Sequence, residues 1–210
     1  MSCPLCHSFK DYRFFEDQKR HYQKCIECSL VFVPSHFHLS QEKEKKIYDL
    51  HENNLDDLGY RKYLSRICDP MALRLSLGQK GLDFGSGPGP LLAKMFREKG
   101  YEMNIFDLYY HYKPSVLAFH YDFVTMTEVI EHLKRPFEIL VKLKSLLSEG
   151  GAIGIMTKLA KEESAFASWH YKNDPTHICF FSKKTFEWVS QKLGMSIEFI
   201  GEDIIFLEKN

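Results

Sequence analysis

Two cysteine pairs, a glycine-dense turn between two carboxylates and an acid-rich segment ending in histidine carry the reactive chemistry of this chain. The cysteines stand as Cys3-Pro-Leu-Cys6 and Cys25-Ile-Glu-Cys28, with eighteen residues between the pairs. Two C-x2-C pairs at that spacing predict a tetrahedral zinc site of four thiolates, closed to further ligands and therefore structural. Disulfides are the weaker expectation in a reducing compartment. Cys3-x-x-Cys6-His7 also matches a c-type haem attachment. The second pair, and the lack of a charged-then-apolar leader, count against haem.

The glycine turn reads Leu82-Asp83-Phe84-Gly85-Ser86-Gly87-Pro88-Gly89-Pro90. An apolar run enters it and a helix-forming stretch leaves it at Leu91, so the order is strand, tight loop, helix. Glycines let the chain turn sharply and let a ligand approach the backbone without a Cβ in the way. Free amides of the loop are expected to face that ligand. Asp83 ends the strand. Asp107 closes the next apolar stretch, Met103 to Phe106, at the distance where a ribose-binding carboxylate is expected.

These residues resemble the class I S-adenosylmethionine-dependent methyltransferases, whose first motif reads much like Leu82 to Gly89. Thr127-Glu128-Val129-Ile130-Glu131-His132-Leu133, after the apolar run Tyr121 to Met126, resembles the fourth motif of small-molecule members. Quinone- and sugar-type enzymes share these motifs. The resemblance implies a cofactor site of Asp83, Gly85, Ser86, Gly87, Gly89, Asp107, Leu108 and Thr127. Glu128 is placed beside the transferable methyl. Trp169 to Phe181 resembles a substrate-pocket wall, with Tyr171 and His177 in it, and His177 or His132 is the candidate base. Glu131 and His132 are equally readable as loop-locking residues, and Asp174 and His177 as a pair that pins the wall. The amino-terminal cysteines followed by Ser29-Leu30-Val31-Phe32-Val33 resemble the zinc ribbon of some relatives, where glycine often stands at the positions of His7 and Ser29.

The elements that must position these groups follow in order. Residues 1–40 read as the ribbon, with Tyr12, Phe14, Phe15, Tyr22, Val31 and Phe32 covering a mini-sheet. Residues 41–78 read as a helical linker or lid. In it, Gln41 to Lys46 is a solvated charge run, Tyr48, Tyr60 and Tyr63 are lid aromatics, and a helix over 59–77 is interrupted at Asp69-Pro70. Residues 79–210 read as the cofactor domain: α/β, Rossmann-like, with a mostly parallel sheet, helices on both faces and a closing antiparallel hairpin. Only fourteen residues separate Asp107 from Asp122, where relatives fit a helix and a third strand. Val116 to Phe119 is the expected short third strand, and Leu108, Tyr109 and Tyr110 the expected cover for adenine.

Composition sets the outer bounds. The 210 residues are 44% hydrophobic and 27% charged, with 28 basic and 28 acidic side chains. A zero balance argues against a chain that grips nucleic acid non-specifically, while leaving room for a local basic patch. No apolar run reaches membrane-spanning length, so a cytoplasmic protein is expected. The expected activity is O- or C-methylation of a small molecule. The alternatives are an RNA- or protein-directed enzyme that recognises its target through the ribbon, and a non-catalytic binding protein of the same fold. Nothing in the chain sets the oligomeric state.

Overall fold

The computed structural model describes residues 1–50 and 54–210; of the lid segment read over 41–78, residues 51–53 lie outside the described residues. At the amino end, β1 (Asp11–Glu16) and β2 (His21–Cys25) form an antiparallel hairpin, and β3 (Val31–Phe32) adds to β2. Each C-x2-C pair closes on a left-handed residue, His7 and Ser29, both at φ 59°. That is where glycine is easiest. Phe14, Tyr22 and Phe32 are buried here, but Tyr12 is 48% exposed and does not cover the sheet as expected. A bulge between Arg13 and Phe15 shifts the register of β1, so the alternation that would place Tyr12 and Phe14 on one face is broken between them.

Helix α1 (Gln41–Tyr48) is capped by Ser40, and α2 (Leu58–Ala72) by Asp57, which accepts from the amides of Gly59 and Tyr60. The expected interruption at Asp69-Pro70 does not occur. Pro70 sits inside the final turn of α2, where the helix ends two residues later and few downstream bonds remain to be lost.

The main sheet then forms from β4 (Lys80–Phe84), β5 (Glu102–Phe106), β6 (Tyr121–Thr127) and β7 (Leu147–Met156), with α3 (Leu91–Glu98) and α4 (Pro136–Leu146) as crossovers. α5 (Glu163–Ala167), β8 (Cys179–Phe180), α6 (Lys183–Leu193), β9 (Met195–Ile200) and β10 (Ile204–Lys209) complete the chain. The six-stranded order is β5-β4-β6-β7-β10-β9. β4 pairs parallel with both β5 and β6, β6 with β7, and β10 is antiparallel between β7 and β9. This is the expected α/β sheet with its closing hairpin.

Two features differ from expectation. Residues Pro114–Ala118 form a 3-10 turn, so the expected third strand is absent among the described residues and β5 is the sheet edge. Pro114 fixes its own φ and lacks an amide, which suits the first position of a helical turn and not a paired strand. The second feature is that β8 pairs with β3, Val31 opposite Phe180, so the ribbon takes its fourth strand from the far end of the chain. Phe14, Tyr22, Phe166 and Phe180 pack ring against ring with centroids 5.0 to 5.8 Å apart, joining that sheet to the main core.

Candidate functional site

β4 pairs with β5 on one side and β6 on the other, so the crossovers to left and right diverge at its carboxyl end. Open α/β sheets bind ligands at such a switch point. A cleft of about 870 Å³ lies there. Gly85, Ser86, Gly87, Asp107, Leu108, Thr127, Glu128, His132 and His177 all line it, as do Tyr109 and Tyr110. Asp83 and Gly89 do not. Asp83 lies beneath the floor, buried, and accepts from Thr125 Oγ1 at 2.9 Å. Burial pushes its carboxyl up to about 6.

The glycine loop is held tightly. Gly85 has φ 80°, and a Cβ there would stand 2.3 Å from Val129 Cγ2, so only glycine fits. Contrary to expectation, three of the loop amides are already used. Gly85 and Ser86 donate to Phe106 O, and Gly87 donates to Asp107 Oδ2 at 2.9 Å. Asp107 Oδ1 accepts from the amides of Tyr109 and Tyr110. From Gly85 to Gly87 the loop therefore offers a ligand its carbonyls and the Ser86 hydroxyl. Ser86 Oγ and Thr127 Oγ1 are buried without a hydrogen-bond partner among the described residues. Two unpartnered hydroxyls in a concave wall are what a polar cofactor would satisfy.

Beyond Thr127 the chain turns through Glu128 at φ 52°. A non-glycine residue held there is uncommon and strained. Tyr63 donates to Glu128 Oε1 and Tyr171 Oη stands 2.9 Å from Glu128 Oε2. Tyr171 Oη also contacts Glu131 Oε1, and Thr157 Oγ1 donates to Glu131 Oε2 at 3.1 Å. One phenol has one proton to give, so two carboxylates on one hydroxyl require that a carboxyl carry a proton. Burial, and then the neighbouring Glu131, raise Glu128 to about 7, while the two tyrosine hydroxyls draw it back. Burial also raises Glu131.

The two imidazoles differ from a neutral-pH base. His132 Nδ1 faces Thr176 O at 3.1 Å and His177 Nδ1 faces Tyr171 O at 2.7 Å, so both Nδ1 atoms carry the proton. Burial lowers both rings from the usual histidine range, His177 to about 3. They are neutral at pH 7 and weak proton acceptors. Glu131, His132 and His177 bring one ligand atom each within 4.8 Å, though both Glu131 oxygens are already engaged by Tyr171 and Thr157.

α1 covers the cleft. Tyr109 donates to Glu44 Oε2, Tyr110 to Asp49 Oδ1, and the Tyr48 ring packs edge-on against His132. Gln41, Glu44 and Tyr48 line the cleft, so one face of the expected solvated charge run is a wall. Sequence reasoning did not foresee Glu44, nor the α4 face of Glu138, Ile139 and Lys142, which is open to the cleft because no third strand and helix intervene. It also missed Arg20. Its guanidinium donates to the carbonyls of Lys172, Asp174 and Pro175 and so grips the wall that carries Tyr171 and His177 from the ribbon side.

In the ribbon the Sγ atoms of Cys3, Cys6, Cys25 and Cys28 all lie within 4.8 Å of one another, with Cys3–Cys28 at 3.5 Å and Cys6–Cys25 at 3.4 Å. All four are free thiols. Four thiolates at Zn–S of about 2.3 Å stand roughly 3.8 Å apart in a tetrahedron, so the set could hold such an ion. His7 N donates to Cys3 O and Ser29 N to Cys25 O, both at 3.0 Å, which makes the two turns equivalent.

A methyltransferase domain model matches residues 58–198. The chain belongs to the methyltransferase-domain family. It is an enzyme of the S-adenosylmethionine-dependent class, and the unpartnered hydroxyls, the Asp107 carboxylate and the glycine approach fit that cofactor. No curated protein sequence matches the methyltransferase. Among solved structures it is similar to the 1,6-didemethyltoxoflavin-N1-methyltransferase of Burkholderia thailandensis, which carries 1,6-didemethyltoxoflavin and S-adenosylhomocysteine. That match has a TM-score of 0.56 at 12% identity over 96% of this chain and 99% of that one. A SAM-dependent methyltransferase from Archaeoglobus fulgidus matches with a TM-score of 0.52 at 18% identity, over 73% of this chain and 100% of that one. At these identities the likeness is one of fold. No helix among the described residues is long and apolar enough to cross a membrane.

Proposed function

We propose that this cleft transfers a methyl group from S-adenosylmethionine to oxygen or carbon of a small-molecule acceptor. The observation that carries the reading is one cleft of small-ligand size holding two unpartnered hydroxyls beside a carboxylate raised to about 7. Asp107 takes the ribose hydroxyls, Leu108, Tyr109 and Tyr110 cover the base, and Ser86 and Thr127 meet the methionine end. Gly85, Gly87 and Gly89 let the loop approach, and Asp83 supports it from below. Bound there, the cofactor supplies an electrophilic methyl group on sulfur. Glu128 takes the proton from an acceptor hydroxyl or acidic C–H, because a base titrating near the working pH suits that task. Tyr63 and Tyr171 aim its carboxylate, while His132 and His177 accept hydrogen bonds at Nε2 and orient the acceptor.

The ribbon, residues 1–40, holds one structural zinc ion through Cys3, Cys6, Cys25 and Cys28; residues 41–78 act as the lid and 79–210 as the catalytic domain. Two equivalent turns and the closeness of four thiols support the zinc reading. The test is calorimetric titration of zinc-loaded protein with S-adenosylmethionine and S-adenosylhomocysteine, followed by an acceptor screen that reads S-adenosylhomocysteine release. Asp107→Ala should abolish binding. Thr127→Val removes a hydroxyl that holds nothing else and should weaken binding without unfolding the loop. A folded wild type that binds neither ligand would overturn this assignment of the cofactor site.

A further inference from the structure

A second concavity of about 570 Å³ lies between the ribbon and the catalytic domain, and it shares no lining residue with the transfer cleft. Its wall includes Lys24 from β2, Lys158 and Lys161 from the segment after β7, and Lys183 and Lys184 from the first turn of α6. Among the described residues none of these five lysines forms an ion pair with a carboxylate. Lys24 instead lies over the Phe14 ring, Lys158 over Tyr171 and Lys183 over Phe199. Such contacts hold a cation without neutralising it.

The clustering runs against what the chain does elsewhere. With 28 basic and 28 acidic side chains, five lysines without an ion pair around one hollow, against three acids, are a local segregation of charge. The acids in the same wall are Glu162, Glu202 and Asp203, and Asp203 is already engaged by Arg66. Lys183 and Lys184 also stand at the positive end of a helix of 11 residues, where the backbone dipole favours acids and opposes lysine. Two opposing terms, like charge on like charge and cation on helix amino end, are both relieved by one anion in the hollow. Trp169, half-buried, gives the hollow an apolar wall and packs 5.0 Å from the Tyr171 ring. The volume suits one small organic ligand.

We propose that this second cleft binds a small phosphate ester, with its phosphate held by the lysines and its organic part against Trp169. Several lysines suit a phosphate because each acts as a mobile point charge. The site lies behind Tyr171, on the other side of the wall from the transfer cleft. It does not depend on the methyl-transfer reading.

The test is calorimetry on the zinc-loaded full chain at low and at moderate salt, with pyrophosphate, ribose 5-phosphate, ribose and a twelve-residue oligouridylate as titrants. Pyrophosphate and ribose 5-phosphate should bind and ribose should not. The exposed charge reversals Lys161→Glu and Lys184→Glu should each weaken phosphate binding by about tenfold. The milder Lys161→Gln and Lys184→Gln variants should weaken it less, and all four should leave S-adenosylmethionine affinity unchanged. Wild-type protein that binds neither phosphate would overturn the proposal. So would equal binding of ribose, or phosphate binding untouched by the reversals. Binding of oligouridylate alone, with a steep salt dependence, would replace it with a nucleic-acid site.

Discussion

Replacing Glu128 with glutamine should stabilise the protein, and by an amount that depends on pH. Burial and Glu131 raise the Glu128 carboxyl from 4.5 to about 7. The folded state therefore binds this proton more tightly than the unfolded chain does. A raised pKa contributes stability that is present below the unfolded value and lost as pH rises through the folded value, so wild-type stability falls between pH 4.5 and 7. At about 1.36 kcal/mol per pH unit, the loss assigned to Glu128 is roughly 3 kcal/mol once the pH exceeds both values. Glutamine keeps the shape and cannot ionise. The gain of Glu128→Gln over wild type should be about 1 kcal/mol at pH 5 and about 3 kcal/mol at pH 8. Urea unfolding of the zinc-loaded proteins at pH 5, 6, 7 and 8 measures it through the midpoint, with the slope held constant. The same variant should lose methyl transfer while keeping cofactor affinity. A stability difference that does not change with pH would refute the reasoning, because it would mean that Glu128 ionises as easily in the fold as in water.

Three other outcomes follow from contacts already described. Gly85→Ala should destabilise by about 2 kcal/mol or more, since its Cβ would meet Val129 at 2.3 Å and φ is 80°; Val129→Ala should recover the steric part, measured by thermal unfolding. Arg20→Ala strips a buried cation from three carbonyls and should cost about 3 kcal/mol, with amide exchange rising most in residues 171–178. Chelation of a zinc-loaded sample should raise exchange in the ribbon and also in Cys179–Phe180, which pair with β3; an effect confined to the ribbon would show that the two are uncoupled.

Much of the main sheet was legible because its signals are local. An apolar run into Gly85-Ser86-Gly87 and a run into Thr127-Glu128 each report a buried strand ending in a loop, and both loops reach the cleft. The gap after Asp107 announced that something was missing, but not what replaced it. Only Pro114 hinted that Val116 and its neighbours would turn and not pair. Loop amides were harder still. Whether Gly87 N is free or donates to Asp107 depends on a contact between the loops that follow two strands, which no spacing encodes. Arg20 and Glu44 illustrate the same limit. Each sits in an ordinary polar stretch, and its role comes from a partner far along the chain.

The shared strand also bears on the order in which the molecule assembles during synthesis. The three amino-terminal strands and the four clustered cysteines lie within the first 33 residues, so a ribosome-bound chain can bring these four thiols together early. Arg20 must then wait for Lys172, 152 positions later, and Val31 must wait for Phe180. Closing a loop that long is slow compared with local contacts. The wall that carries Tyr171 and His177 is thus among the last parts to settle. Until it does, the Glu128 carboxylate has Tyr63 but lacks Tyr171, and a nascent or truncated chain could form a stable ribbon and glycine loop while having no competence for chemistry.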